Sequence, residues 1–470
     1  MKKIASLMTA LVFFLTACAT LSTRPTQSAP APETERRPTP DRGKELGKQF
    51  LVEARKQYRF VKDQEVVNAV NQVGRRLVTA AGADPDAFHF FVVKEVQPNA
   101  FAIPGGYVFV FDGLLAKLNS EEELAGVLAH EIGHVTHNHF FKDDAKVNAL
   151  TLAAIAAILL SKGQAAAPTI AIAAGTAAQL QFSRENEEEA DASAIQYLKK
   201  AGYDPRGMLH FFQTLMAYET INRVEIPAYL STHPGLENRI HLVELRMDRP
   251  VDGKLQSLRK PVDWERVQTV IQAKSRIWQD VAQLFPKRRP GAAPDERDHY
   301  LTGLAYLMTD RVADAIAEYQ AALAASPDNP VYHADLATAY LKSQDIERAR
   351  AEAVESLKRS RPGEELPSAY LVLGILEEHA GRLDEALHQY KEVIRRDPDH
   401  AFSHYHVGQV YFQTGNPLEG AYHTGRYLRL NLEPEAALRE FKRAQHLSSK
   451  NDDLARMIRE QMDQIIAAGI

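Results

Sequence analysis

His130, Glu131 and His134 of this 470-residue chain stand in an HExxH pattern, His130-Glu131-Ile132-Gly133-His134. Two imidazoles one helical turn apart project from the same helix face and can share one Zn²⁺. Glu131 then lies beside the open coordination position. A carboxylate there can take a proton from water held at the metal and pass it to a leaving amine. Zinc peptidase sites need a third protein ligand. The candidate lies in Ser183-Arg184-Glu185-Asn186-Glu187-Glu188-Glu189-Ala190-Asp191. Glu187 and Asp191 are again one turn apart on a helix. Glu187 can ligate the metal, and Asp191 can accept a hydrogen bond from a ligand histidine and fix its tautomer.

These residues need rigid elements to hold them. Leu124, Val127, Leu128, Ile132 and Val135 recur at helical spacing, and Ser120 followed by Glu123 predicts a capping box at the helix start. Ala194, Ile195 and Leu198 continue the second helix. HExxH also arises by chance on amphipathic helices, and acidic residues favour the positive end of any helix. That second reading accounts for Glu185, Glu188 and Glu189. It does not account for Arg184 and the Glu187–Asp191 pair following an HExxH helix. Phe88–Val93 reads as a strand, and so does the stretch Asn99–Phe111, with Pro104-Gly105-Gly106 inside it. An edge strand beside a metal site can pair with an extended peptide. Helical patterns also begin near Lys44 and cover Val66–Leu77.

HExxH followed by Ser-Arg-x-x-Glu-x-x-Ala-Asp resembles the zinc metallopeptidase family of the CAAX prenyl protease, HtpX and BepA. Asn99–Gly106 with Val108–Leu115 resembles the family's strand before the zinc helix. Ser231-Thr232-His233-Pro234 with Arg239-Ile240 resembles its last core motif. The four motifs follow in order over roughly residues 45–245. The resemblance implies one Zn²⁺ per subunit with His130, His134 and Glu187 as ligands, and Glu131 as general base. It implies Asp191 beside the ligands, as a hydrogen-bond partner or proton donor. His233 is implied either to stabilise the oxyanion or to touch the zinc and hold the enzyme off, and Arg239 is a nearby structural or transition-state cation. His137 and His139 read more simply, as histidines favoured at a helix C-terminus.

Between the two metal helices, Val147–Leu180 is alanine-rich and nearly uncharged. Neither half reaches the ~20 apolar residues of a membrane span. It reads as two short helices, packed on the catalytic domain or dipping as a lid toward a bilayer. At the N-terminus, Met1-Lys2-Lys3 precedes an apolar stretch, Ile4–Leu15, and then Leu15-Thr16-Ala17-Cys18. That is the pattern of a lipoprotein signal peptide ending in a lipobox. Cys18, the only cysteine, would carry the lipid anchor, and several acyl chains hold a protein at a membrane without a spanning helix. Ala19 is not the aspartate that retains lipoproteins at the inner membrane, so the periplasmic face of an outer membrane is the expected address. Residues 19–42 hold five prolines and no apolar periodicity, the composition of a disordered tether.

Beyond residue 250 the pattern repeats. Gly303, Ala337, Gly374 and Gly408 mark equivalent small positions at intervals of 34, 37 and 34 residues. Tyr306, Tyr319, Tyr340, Tyr390 and Tyr411 recur around them, with Ala315, Ala349, Ala386 and Ala421 on following helices; Ala437, Phe441 and Ala444 suggest a partial further unit. This resembles tetratricopeptide repeats, whose stacked helix pairs bury a continuous core and present a groove to a protein partner.

The composition, 45% hydrophobic and 25% charged, is that of a globular protein of two or three domains. A net charge of −5 gives no reason to expect nucleic-acid binding. The expected architecture is a mainly α metallopeptidase domain with a small β-sheet, an α+β fold, followed by an all-α repeat solenoid. The expected divisions are a signal peptide at 1–18, a tether at 19–42, the metallopeptidase domain at 43–250, a helical linker at 251–295 containing a helix over Trp264–Phe285, the repeats at 296–450 and a C-terminal helix at 451–470. The expected function is a zinc-dependent endopeptidase of the bacterial cell envelope acting on misfolded or stalled proteins. Its repeats would dock protein partners, and the resemblance extends these to the machinery that assembles outer-membrane proteins. The alternative is an envelope chaperone or assembly adaptor with a latent or structural zinc site.

Overall fold

A computed structural model describes residues 40–141, 182–221, 229, 233–247, 254, 261–274, 293–448 and 453–468. The expectations for Cys18, for the 147–180 segment and for 275–285 lie outside these residues. All described residues belong to one unit, Pro38–Ile470.

The first part is built around a buried helix. Helix α1 (Pro40–Gln57) and helix α2 (Gln64–Ala80) precede strands β1 (His89–Val93), β2 (Ala100–Ile103) and β3 (Tyr107–Phe111). The stretch expected as one strand over Asn99–Phe111 is therefore two. Gly105 and Gly106, at φ 90° and 87°, reverse the chain between them, a conformation that costs glycine little. The sheet order is β1-β3-β2, with β1 parallel and β2 antiparallel to β3. This leaves β1 and β2 at the two edges, with β1 met on its outer side by an isolated bridge from Phe60 to Val93. Both sheet faces are buried. Phe90, Val92, Val108 and Val110 face the main core with α2, while Phe91, Phe101, Tyr107, Phe109 and Phe111 form an aromatic layer with Phe50 of α1.

After a short helix α3 (Asp112–Leu115) comes α4 (Glu121–Thr136), the HExxH helix. Its residues from Glu123 to His134 are all buried, so it is surrounded rather than lying on a surface. Ser120 caps it by accepting from the Glu123 amide. Glu123 reaches back to the amide of Asn119, one residue earlier than a standard capping box. Helix α5 (Arg184–Ala201) starts on the Ser183 cap and stops at Gly202, φ 81°. It is followed by α6 (Arg206–Ile221), α7 (Leu236–Arg246) and α8 (Trp264–Lys274).

The second part is a run of helix pairs. They are α9 (Glu296–Met308) with α10 (Val312–Ala325), α11 (Pro330–Lys342) with α12 (Ile346–Arg359), α13 (Pro367–His379) with α14 (Leu383–Arg396), and α15 (Ala401–Gln413) with α16 (Pro417–Leu430). Helices α17 (Pro434–Leu447) and α18 (Asp453–Ala468) follow. The turns inside the four pairs carry positive φ at Asp310, Gln344, Gly381 and Gly415, repeating the 34-, 37- and 34-residue intervals of the small positions. The three extra residues of the long interval fall in the loop between α12 and α14's partner α13. The small positions admit their neighbours: a Cβ on Gly303 would lie 2.8 Å from the Tyr319 ring, and one on Gly374 2.6 Å from that of Tyr390. Among the described residues, no helix is long and apolar enough to cross a membrane.

The two parts touch at both ends of the repeats. Arg266 of α8 bonds Glu65 of α2 at 2.5 Å, and also Asp335 of α11 and Tyr300 of α9. Asn68 of α2 donates to Asp397, and Lys48 of α1 to the carbonyl of Ile466. Leu432, between α16 and α17, packs against the aromatic layer of the sheet.

Candidate metal centre

Four side chains from three places in the chain meet between α4, α5 and the segment before α7. His130 Nε2 lies 2.9 Å from His134 Nε2 and 3.2 Å from His233 Nδ1. Glu187 Oε1 is 3.3 Å from His134 Nε2 and 3.1 Å from His233 Nδ1, and its Oε2 is 3.5 Å from His130 Nε2. All four residues are buried. A tetrahedron whose arms have the ~2.0–2.1 Å length of zinc bonds to nitrogen and oxygen has edges of about 3.3 Å. The donor set therefore fits a small tetrahedral dication. His130, His134 and Glu187 are brought together as the sequence predicts, and His233 adds a fourth donor at the remaining corner.

The close approach of α4 and α5 makes this meeting geometric. Gly133, one residue before His134, faces Ala190: a Cβ there would stand 3.1 Å from the Ala190 Cα and carbonyl oxygen. Even a methyl group at this position presses on the Ala190 backbone, so the small residue lets α5 bring Glu187 close to the histidines.

Glu131 is buried beside the cluster. Its Oε2 accepts from the Ala102 amide at 2.9 Å, on the edge strand β2. Its Oε1 lies 3.5 Å from His233 Nε2 and has no hydrogen-bond partner among the described residues. Burial pushes its carboxyl pKa up, against the pull of His233 and His130. Glu187 goes the other way: burial opposes its charge, but His233, Arg239 and His130 hold it well below the usual carboxylate range.

Asp191 and Arg239 support the cluster. Asp191 Oδ1 sits 2.8 Å from His130 Nδ1, so the Nδ1 proton points at the carboxylate and Nε2 is left to face the other donors. Arg239 holds Asp191 with two bonds of 2.8 Å and pairs with Glu187 at 2.6 Å. Burial and Arg239 disfavour a charge on His130, but its bonds to Asp191 and Glu187 outweigh them and raise its pKa to about 9. Burial drives His134 well below the ordinary histidine value.

Several neighbours were not legible in the sequence. The Tyr229 ring stacks on His233 with centroids 4.4 Å apart, and the Phe182 ring on His134 at 3.8 Å. His139, read as a favourable helix-end charge, instead places its Nδ1 2.9 Å from His134 Nδ1. Glu189, read as a solvated acidic residue, contacts both His137 and His139. Spacing carries no signal for them, because His139 lies beyond the helix end and Glu189 sits two residues from Glu187, off the ligand face.

Comparison with known proteins agrees with this geometry. Residues 65–246 match the model of peptidase family M48, and residues 294–330, 334–401 and 380–423 match a tetratricopeptide repeat model. The putative beta-barrel assembly-enhancing protease of Vibrio cholerae serotype O1 is 39% identical over 190 residues, 38% of this chain and 39% of that protein. The beta-barrel assembly-enhancing protease of Escherichia coli K12 is 29% identical over 331 residues, 68% of this chain and 66% of that protein. The mitochondrial metalloendopeptidase OMA1 of Schizosaccharomyces pombe is 32% identical over 178 residues, 37% of this chain and 51% of that protein. The chain thus spans less than two thirds of the length of these curated relatives. Among solved structures, MamA MSR-1 C2 is 21% identical, covering 36% of this chain and 95% of its own, with a TM-score of 0.27. The chain carries a peptidase family M48 domain over residues 65–246, followed by tetratricopeptide repeats over residues 294–423.

Proposed function

We propose that this chain is a zinc-dependent endopeptidase of the bacterial cell envelope, held latent by His233, with repeats that dock protein partners. The observation that carries this reading is Glu131, a buried carboxylate beside a four-donor cluster, with one oxygen bonded to a strand-edge amide and the other without a hydrogen bond among the described residues, 3.5 Å from His233 Nε2. A purely structural metal site has no use for such a base. When bound by His130, His134 and Glu187, zinc supplies a Lewis acid for a peptide carbonyl and lowers the pKa of water.

The protein's own groups do the rest. Glu131 takes the proton from the attacking water at Oε1 and returns it to the leaving amine. The Ala102 amide fixes Oε2, so the free oxygen has one orientation. Strand β2 lies at the sheet edge beside Glu131, and because Ala100–Ile103 are buried, pairing of an extended substrate with it requires that edge to be uncovered. Asp191 keeps His130 in the tautomer that presents Nε2, and Arg239 keeps Asp191 ionised and in place. His233 fills the fourth corner rather than facing it, which favours the holding-off role over oxyanion stabilisation in this conformation. Catalysis then requires His233 to leave.

The names of the beta-barrel assembly-enhancing relatives support envelope proteins as substrates and outer-membrane assembly machinery as the partner of the repeats. The Cys18 lipobox supports a lipid anchor at the periplasmic face of the outer membrane. Loss of radiolabelled palmitate from a Cys18→Ser chain tests the anchor.

A second reading, an envelope chaperone or adaptor with a latent or structural site, is favoured by the four protein donors, the number found in closed structural sites. Zinc content and casein cleavage of the wild type, Glu131→Gln and His233→Ala separate the two. The expected result is one zinc per chain in the wild type, faster cleavage by His233→Ala, and cleavage about 10²–10⁴-fold slower in Glu131→Gln with zinc retained. A zinc-loaded wild type and His233→Ala that both cleave nothing would sink the peptidase reading.

A further inference from the structure

His137, His139 and Glu189 form a second group of donors, with one ligand atom of each within 4.8 Å of the others. His137 ends the HExxH helix, and Asn138 at φ 53° turns the chain. The His137 and His139 rings consequently lie with centroids 5.6 Å apart and planes 24° apart. Glu189 comes from α5 and reaches both: Oε1 is 3.0 Å from His137 Nδ1 and Oε2 is 3.2 Å from His139 Nε2. The other nitrogen of His137 lies 2.7 Å from Ser193 Oγ. His139 is buried, while the side chains of His137 and Glu189 are 31% and 42% exposed, so the cluster is open to small solutes. Two imidazoles and a carboxylate are a donor set for Zn²⁺, Ni²⁺ or Cu²⁺.

The cluster is joined to the first one through a single proton. His139 Nδ1 and His134 Nδ1 are 2.9 Å apart, so only one of the two can carry hydrogen. When His134 Nε2 binds a metal, its proton is on Nδ1 and is donated to His139 Nδ1. His139 then carries its own proton on Nε2, donated to Glu189. A dication at His139 Nε2 reverses this order. The neutral His139 must then hold its proton on Nδ1, facing His134. His134 can accept it only in the tautomer whose proton sits on Nε2, the atom that faces the first metal.

We propose that His137, His139 and Glu189 bind a second transition-metal dication, more weakly than the first cluster, and that filling this site loosens the metal at the first. The second site is weaker because it has three donors instead of four, is partly exposed, and must give up the direct contacts of Glu189 with both imidazoles. Excess zinc is thereby an inhibitor that acts through a ligand's tautomer rather than by blocking substrate. The proposal rests on reading His134 as a ligand of the first metal.

The test uses the full chain, stripped of metal and loaded with one equivalent of radioactive zinc. Binding of further Zn²⁺ is followed by equilibrium dialysis, and loss of the radioactive zinc by its exchange rate. The wild type should take up a second equivalent and then release the first about 5–150-fold faster, the range of ordinary coupling between two sites expressed in the off-rate. His137→Asn removes a donor of the second site only. It should keep the first equivalent, lose the second, and exchange at a rate indifferent to excess zinc. A wild type that saturates at one equivalent, a His137→Asn chain that still binds two, or a first equivalent released no faster when the second is bound would each overturn the proposal. A chain that binds no first equivalent would overturn the metal-centre reading itself.

Discussion

Asp191 is the residue on which the orientation of the centre turns. It accepts from His130 Nδ1 and is clamped by two bonds from Arg239. Asp191→Ala should weaken metal binding about 10–100-fold, the usual cost of losing the partner behind a ligand histidine, measured by competition with a chelator at fixed pH. The change also leaves Arg239 buried beside Glu187 alone, so a loss of thermal stability should accompany it. Asp191→Asn, which keeps the shape, should recover part of the stability. His130 with His134, and Glu187 with Asp191, were legible in the sequence because helical periodicity places each pair on one face, while Glu131, next to His130 and off that face, was legible only through the HExxH pattern. His233 was legible only through family resemblance, since a histidine before a proline has no periodic signal. Glu189 and His139 were misread, because their meeting depends on a reversal at Asn138 and on how two helices cross.

Among the elements, the contact of α4 with α5 is the most exacting. Gly133→Val should force the helices apart, costing about 1–3 kcal/mol as overpacking, and should lower metal affinity because Glu187 moves with α5. Melting temperature and chelator competition on the same samples check both effects. Within the repeats, His404 and His423 meet between α15 and α16 with Nδ1 atoms 2.8 Å apart, and His404 Nε2 donates to the Pro398 carbonyl. Burial, with Arg426 nearby, lowers His404 to about 3; burial and His404 drive His423 well below its usual value. Both are more basic in the unfolded chain, near pH ~6.5. Below that pH the unfolded chain takes up protons that the fold refuses. Stability is therefore full above pH ~6.5 and falls toward pH ~3, by up to about 1.4 kcal/mol per pH unit for each histidine. Thermal melting between pH 7.5 and 5 should show this slope, and a chain with both histidines changed to Gln should show less of it.

At the scale of the whole molecule, the repeats are fastened to the peptidase domain as well as to each other. Arg266 joins α2, α8, α9 and α11 through Glu65, Asp335 and Tyr300. Removing one partner of a desolvated charge pair at an interface costs roughly 2–5 kcal/mol. Arg266→Ala should accordingly split thermal unfolding, monitored by calorimetry, into separate peptidase and repeat transitions; a single unshifted transition would show the contact to be dispensable. Leu432, at φ 61°, adds an apolar contact at the far end by packing on the aromatic layer of the sheet. A partner that docks on the repeats therefore acts on a surface already tied to the sheet and helices around the metal centre.

The sequence by itself determined the chemistry and the modular plan. The HExxH and Glu187–Asp191 pairs follow from a 3.6-residue period, and the repeats from a regular recurrence of small and aromatic residues. Both are local patterns that a linear chain displays. Tertiary structure alone decided which strands lie at the edges, how Ala102 holds Glu131, that His233 occupies the fourth corner, and that His139 and Glu189 stand behind His134. Each of those facts concerns atoms brought together from distant parts of the chain. Only packing, such as the fit of Gly133 against Ala190, sets their distance.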